Sequence, residues 1–144
     1  HMLIAAALGG WLLSNCCAHV GHSLAHVLGG CLHVPHGAAC AYTCPSALHF
    51  IAPVVPAKIR KIGEILGAKF TGNEDPEQIA QITGTAYKKF RDESVGMPPL
   101  SAFNVTPEAA AALAPKVVVE CFAPLTPRQV TEDAARAMYE EMFK

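Results

Sequence analysis

No aspartate, glutamate, lysine or arginine occurs between His1 and Ala57, and the first charged side chain is Lys58. Charged residues make up 16% of the chain, against about 25% in ordinary soluble domains. A surface helix carries charge on its outer face. An uncharged first third is therefore expected at the centre of an assembly or against a partner. The formal net charge of -1 gives no electrostatic reason to expect nucleic acid or an anionic membrane. The apolar run Met2 to Leu13 falls short of the roughly 20 residues that a membrane span needs. No basic stretch precedes it, which argues against a signal peptide, and His1-Met2 reads as a remnant of cloning. There is no C-x2-C pair. Cys16, Cys17, Cys31, Cys40, Cys44 and Cys121 are expected to be free, buried thiols that behave as small hydrophobes. A reducing cytoplasm suits such thiols. A glycine-rich dinucleotide turn and a βαβ pattern are also missing, and no acid precedes Glu64.

What is present reads as helix throughout. A chain of 144 residues is long enough for one domain, and the pattern predicts a single all-α domain over residues 1–144. Leu3 to Leu13 and Cys16 to Gly30 form the first two helices, and Pro35 to Ile51 a third, kinked at Pro45. The small residues Gly21, Ala25 and Gly29 recur every fourth position, which lets another helix approach closely. Ala57 to Leu66 is amphipathic, with Ile59, Ile62 and Leu66 inward and Gly67 as C-cap. Asp75-Pro76-Glu77-Gln78 is a capping-box start. That helix is expected to run to Ser94, with Ile79, Ile82, Ala86, Tyr87 and Phe90 inside. Thr106-Pro107 opens another helix. Thr126-Pro127 opens the last, which buries Val130, Ala134, Ala137, Met138 and Met142. Val117 to Val119 is the one segment with some strand character.

The chemistry gathers in Gly21 to Gly37, GHSLAHVLGGCLHVPHG. His22 and His26 are four apart, one turn apart on one helix face, with His19 three residues earlier. Neutral imidazole is a common ligand for zinc and divalent iron. His36, set at a helix start by Pro35 with Gly37 leaving room, can converge on the same point. An isolated histidine on an apolar face is more often a structural residue, and H-x3-H alone is a weak signal. H-x3-H followed at this distance by P-H-G is much more specific.

These residues resemble the signature of the iron-dependent (group III) alcohol dehydrogenases, H-[A/G/S]-x-A-H-x-[L/I]-G-x5-P-H-G. His22-Ser-Leu-Ala-His26-Val-Leu-Gly29 and Pro35-His36-Gly37 follow it throughout. Gly10-Trp-Leu-Leu-Ser-Asn15 is similar to the family's upstream segment, and Pro124 to Val130 is loosely similar to a later one. The resemblance is specific from about Gly9 to Phe50. It implies a helical bundle corresponding to most of the family's C-terminal domain. It implies that His22 and His36 are metal ligands and that His26 is a catalytic neighbour handling substrate or protons. His19 and His33 fall outside the pattern and are taken as structural. The implied metal is divalent, Fe2+ first and Zn2+ as the alternative. NAD(P) would enter only through a nucleotide domain outside these residues. The implied substrate of the full-length family is a small alcohol or aldehyde.

Two further family ligands lie in a D-x3-H motif on an earlier helix, and no D-x3-H occurs in this sequence. By itself the chain is therefore expected to be inactive. The uncharged helices would pack against the rest of a longer protein or form a homo-oligomer. The alternatives are a non-catalytic, self-associating helical protein or gene remnant, and a small autonomous metal binder using three histidines.

Overall fold

The computed structural model describes residues 1–144 as eight α-helices with no strand. They are α1 Met2–Cys16, α2 Val20–Leu32, α3 His36–Ile51, α4 Pro56–Ile65, α5 Pro76–Lys89, α6 Pro107–Ala111, α7 Ala114–Val118 and α8 Glu132–Glu141. The all-α expectation holds, and Val117, read as strand-like, is buried in α7 instead.

The chain winds around α3, which packs on α2, α5 and α8. The larger core joins α2, α3, α7 and α8 through Leu24, Leu28, Ala39, Val117, Met138 and Tyr139. The smaller joins α3, α4 and α5 through Leu48, Ile51, Ile59 and Ile79. The phenol of Tyr139 donates to the carbonyl of Leu24 at 2.8 Å in the core, tying α8 to α2. His49 stands between Glu141 at 2.8 Å from Nδ1 and Glu77 at 2.8 Å from Nε2, so one imidazole clamps α3 to α8 and α5. Burial works against its charge, but the two carboxylates outweigh that and raise its pKa.

Helix starts follow local chemistry. Asp75 and Gln78 form the reciprocal capping box, with Pro76 at the first position. Gly67 takes φ 86, which glycine adopts without strain, and ends α4. The fifth helix ends at Lys89, but a π turn carries the chain on to Ser94, so that boundary holds. The small-residue stripe acts in part as expected. Gly21 lies against Ala47 of α3, whereas Gly29 makes room for the carbonyl of Val34.

Three elements differ from expectation. The last helix begins at Thr131, whose hydroxyl accepts from the Ala134 amide. Thr126 instead lends its hydroxyl to the first amide of α2, that of Val20, at 3.0 Å. Within this helix Ala137 is exposed, while Ala135 and Tyr139 are buried. Just past α5, in the π turn, Phe90 is exposed, while Ala80 and Thr83 within α5 are buried. The third departure is α1. None of its residues is buried, so part of the uncharged block lies on the outside, not at the centre. No single helix is long and apolar enough to cross a membrane; α1 and α2 would pass together, but they are bent by 109° and α2 belongs to the core.

Candidate metal centre

Two helices build the site. His22 and His26 sit one turn apart on α2, and His36 is the first residue of α3, just after the Pro35 cap. Because α2 and α3 pack side by side, the three imidazoles meet. A nitrogen from each of His22, His26 and His36 lies within 4.8 Å of the others. Their ring centroids stand 5.3–5.4 Å apart. His22 and His26 are half-buried and His36 is exposed, so the cluster opens at the surface.

Three imidazoles at this spacing form a donor set of the kind that zinc and divalent iron accept. Burial lowers the pKa of His22, with the neighbouring His26 and His36 adding to that, against the smaller upward pull of Glu120. Its neutral form, the one that ligates, is thereby favoured.

Glu120 is the residue that sequence reasoning missed. It lies in the turn after α7, and its Oε1 is 2.9 Å from Nδ1 of His26. The hydroxyl of Ser23 donates to Oε2 at 2.5 Å, and the Phe122 amide donates to the same oxygen at 2.9 Å. Burial pushes against the Glu120 carboxylate, but the bonds from Ser23, His26 and Phe122 prevail and lower its pKa to about 2. An ionised carboxylate can only accept, so Nδ1 of His26 carries a proton, and in the neutral ring Nε2 is then the acceptor. This carboxylate–histidine pairing is the usual support of a metal-site imidazole. Nothing in the sequence marked it, since Glu120 is 94 residues from His26 in a stretch without a motif. Phe122 follows it into the site, its ring 5.6 Å from His26 and 6.1 Å from His22.

The other two histidines of the motif lie outside the cluster. His19 is the N-cap of α2, its ring nitrogen accepting from the Gly21 amide. His33 ends the same helix in the left-handed conformation, at φ 58. The cysteines depart from expectation. All six are free, but none is fully buried, and Cys16, Cys17 and Cys121 are exposed. Cys16 and Cys17 fall on the exposed α1 and its end, and Cys121 in the turn beside Glu120, so no core surrounds them. Cys40 points to the histidines, with Sγ 3.5 Å from Nε2 of His36 and 4.0 Å from Nε2 of His22. Burial raises its pKa. Beside this edge runs an open groove of about 930 Å³ between α1 and the bundle, lined among others by Leu12, His22, Cys40, Ile62 and Tyr87.

Comparisons with known proteins bear on the family and the fold. The chain is 28% identical to lactaldehyde reductase of Escherichia coli over 139 residues, which is 96% of this chain and 36% of that protein. It is 32% identical over 74 residues to the probable alcohol dehydrogenase EutG of the same organism, covering 51% of this chain and 19% of that protein. Among solved structures, a 1,3-propanediol oxidoreductase superimposes with a TM-score of 0.73 and 26% identity, over 88% of this chain and 33% of that one. The chain thus spans only about a third or less of the relatives it matches. The profile of the Fe-containing alcohol dehydrogenase family, C-terminal part, matches residues 1–143, and the chain belongs to that family.

Proposed function

We propose that this chain is the metal-holding helical part of an NAD(P)-dependent alcohol dehydrogenase or aldehyde reductase. The observation that carries this is the convergence of His22, His26 and His36 from two helices onto one point. His22 and His36 would hold the divalent metal, Fe2+ as in the family's name or Zn2+. Bound there, the metal would polarise the oxygen of a small alcohol or aldehyde. Hydride transfer belongs to the nicotinamide, and the cofactor would be held by a part of the protein outside these residues. His26 would handle the proton. With Nδ1 committed to Glu120, its Nε2 can take a proton from a hydroxyl during oxidation and return it during reduction. Glu120 positions that ring and stabilises the imidazolium formed when it takes the proton.

Metal analysis tests the reading. The chain, reconstituted anaerobically with Fe2+ or Zn2+ and freed of excess, should retain about one equivalent. His22→Ala and His36→Ala should each lower affinity at least about tenfold, whereas His26→Ala should keep the metal. Equal metal content in the wild type and the first two variants would sink it. These 144 residues alone should not turn over NADH with an aldehyde.

A second reading concerns packing. Met2, Leu3, Ile4 and Trp11 of α1 are 81%, 88%, 64% and 63% exposed. Apolar exposure on that scale favours cover by a second copy or by the rest of a longer protein.

A further inference from the structure

Four polar residues are buried in the helices: Ser23, Thr43, Ser46 and Thr83. Side-chain hydroxyls in proteins bond mostly to backbone or water, seldom to other side chains. Three of the four follow that habit. Thr43 donates to the carbonyl of Gly21, Ser46 to that of Thr43 and Thr83 to that of Ile59. Ser23 does not: its hydroxyl leaves α2 and donates to Oε2 of Glu120 at 2.5 Å. Ser23 stands three residues before His26, so the two share a face of α2. They bond to the two oxygens of one carboxylate, Ser23 to Oε2 and His26 to Oε1. The Phe122 amide and the Cys121 thiol also bond to it, but both belong to the turn that carries Glu120. The core fixes the backbone on either side of that turn through buried Val117 and Ala123. It does not fix the carboxylate, which hangs from the backbone on freely rotating single bonds. His26 cannot by itself define the place of the group that orients it. Ser23, on the same rigid helix, supplies an independent point. The family pattern accepts alanine, glycine or serine at this position, and only serine can donate.

We propose that Ser23 is a positioning residue. It holds the Glu120 carboxylate against α2, so that Nδ1 of His26 keeps its proton and Nε2 stays the acceptor of the neutral ring. This rests on the proton-handling role given to His26 above and adds what keeps the ring ready for it. Without the Ser23 hydroxyl, Oε2 still has the Phe122 amide, so the carboxylate is not left bare. Alanine is also the better helix former, so the fold has little to lose. The carboxylate can then turn away with its own loop, and the imidazole samples both tautomers.

Nitrogen NMR of the imidazoles reads this directly in the metal-free chain, near about pH 8, above the ordinary histidine range. In the wild type, His26 should be almost wholly in the form protonated at Nδ1. Ser23→Ala should lose that single form and show a second population protonated at Nε2, while the helical circular dichroism stays as in the wild type. In Glu120→Ala the tautomers should already be mixed. Adding Ser23→Ala to it should change the mixture no further, because Ser23 acts through Glu120. An unchanged single tautomer in Ser23→Ala overturns the proposal and leaves the support of His26 by Glu120 standing. A further shift in the double variant also overturns it, since Ser23 would then reach His26 by another route. A wild type in which the Nδ1 form does not predominate overturns the Glu120–His26 pairing, and with it both this proposal and the proton-handling role. Metal retention does not enter the measurement, so failure of the metal test above leaves this result to stand alone. Should Glu120→Ala not fold, the comparison of Ser23→Ala with the wild type already decides.

Discussion

The four groups that converge on Glu120 determine what its loss would cost. Ser23 is fully buried and donates to Oε2, as does the Phe122 amide, while His26 and the exposed Cys121 thiol bond to Oε1. In Glu120→Ala a buried hydroxyl and a backbone amide lose their partner, at a cost of about 1–3 kcal/mol each when left unmade. Glu120→Gln keeps one acceptor oxygen, so it should cost less than Glu120→Ala in urea unfolding. Yet its amide nitrogen can donate, which removes the reason for Nδ1 of His26 to hold the proton. Nitrogen NMR of the imidazoles should show one fixed tautomer for His26 in the wild type and a mixture in Glu120→Gln. An unchanged tautomer would mean that something other than Glu120 sets it. The histidines themselves were legible in the sequence, because H-x3-H and P-H-G are local patterns that helix geometry converts into a shared point. Glu120 was not, because it is distant in sequence.

Between helices, fit depends on small contacts that a periodic pattern does not reveal. Gly63 of α4 faces α5 so closely that an added Cβ would stand 2.6 Å from Oγ1 of Thr83 and 2.8 Å from the Phe70 ring. Phe70 is partly exposed and can move. Thr83 is fully buried, and its hydroxyl donates to the Ile59 carbonyl at 3.1 Å, so withdrawal would strand a polar group. Gly63→Ala should therefore destabilise the chain by about 1–3 kcal/mol despite alanine's better helix propensity; equal or higher stability in urea would refute that. The amphipathic period of α4 was legible, but its closest neighbour was not. The same holds for the last helix. Thr126-Pro127 and Thr131 are both plausible starts by local chemistry, and tertiary contact decides, because Thr126 is taken by the Val20 amide. The His49 clamp adds a pH dependence at this scale. Its folded pKa is raised above 6.5, so its contribution is full below 6.5 and is lost as pH rises through the folded value. The stability difference between wild type and His49→Gln should be largest near about pH 6 and shrink towards about pH 9. A difference that grows with pH would contradict the clamp.

For the molecule as a whole, the uncharged first third resolves into two parts with opposite surroundings. The segment of α2 and α3 is core, as an uncharged stretch should be. The segment of α1 buries nothing. One side of α1, with Gly9, Leu12, Leu13 and Cys16, borders the groove towards the bundle. Another carries Ile4, Leu8 and Trp11, which are 64%, 57% and 63% exposed and share a face at spacings of four and three. No charged residue on α1 or its flanks opposes association of that face. The chain in dilute buffer should therefore self-associate, its light-scattering mass rising with concentration. Ile4→Lys with Trp11→Lys places two like charges on the face and should return the mass to that of one chain, 15.2 kDa. Those substitutions touch no buried residue, so the helical signal and the metal content should stay as in the wild type. A wild type that stays a monomer at all concentrations would show that α1 does not hold copies of this chain together. A double variant that still associates would move the interface to another face.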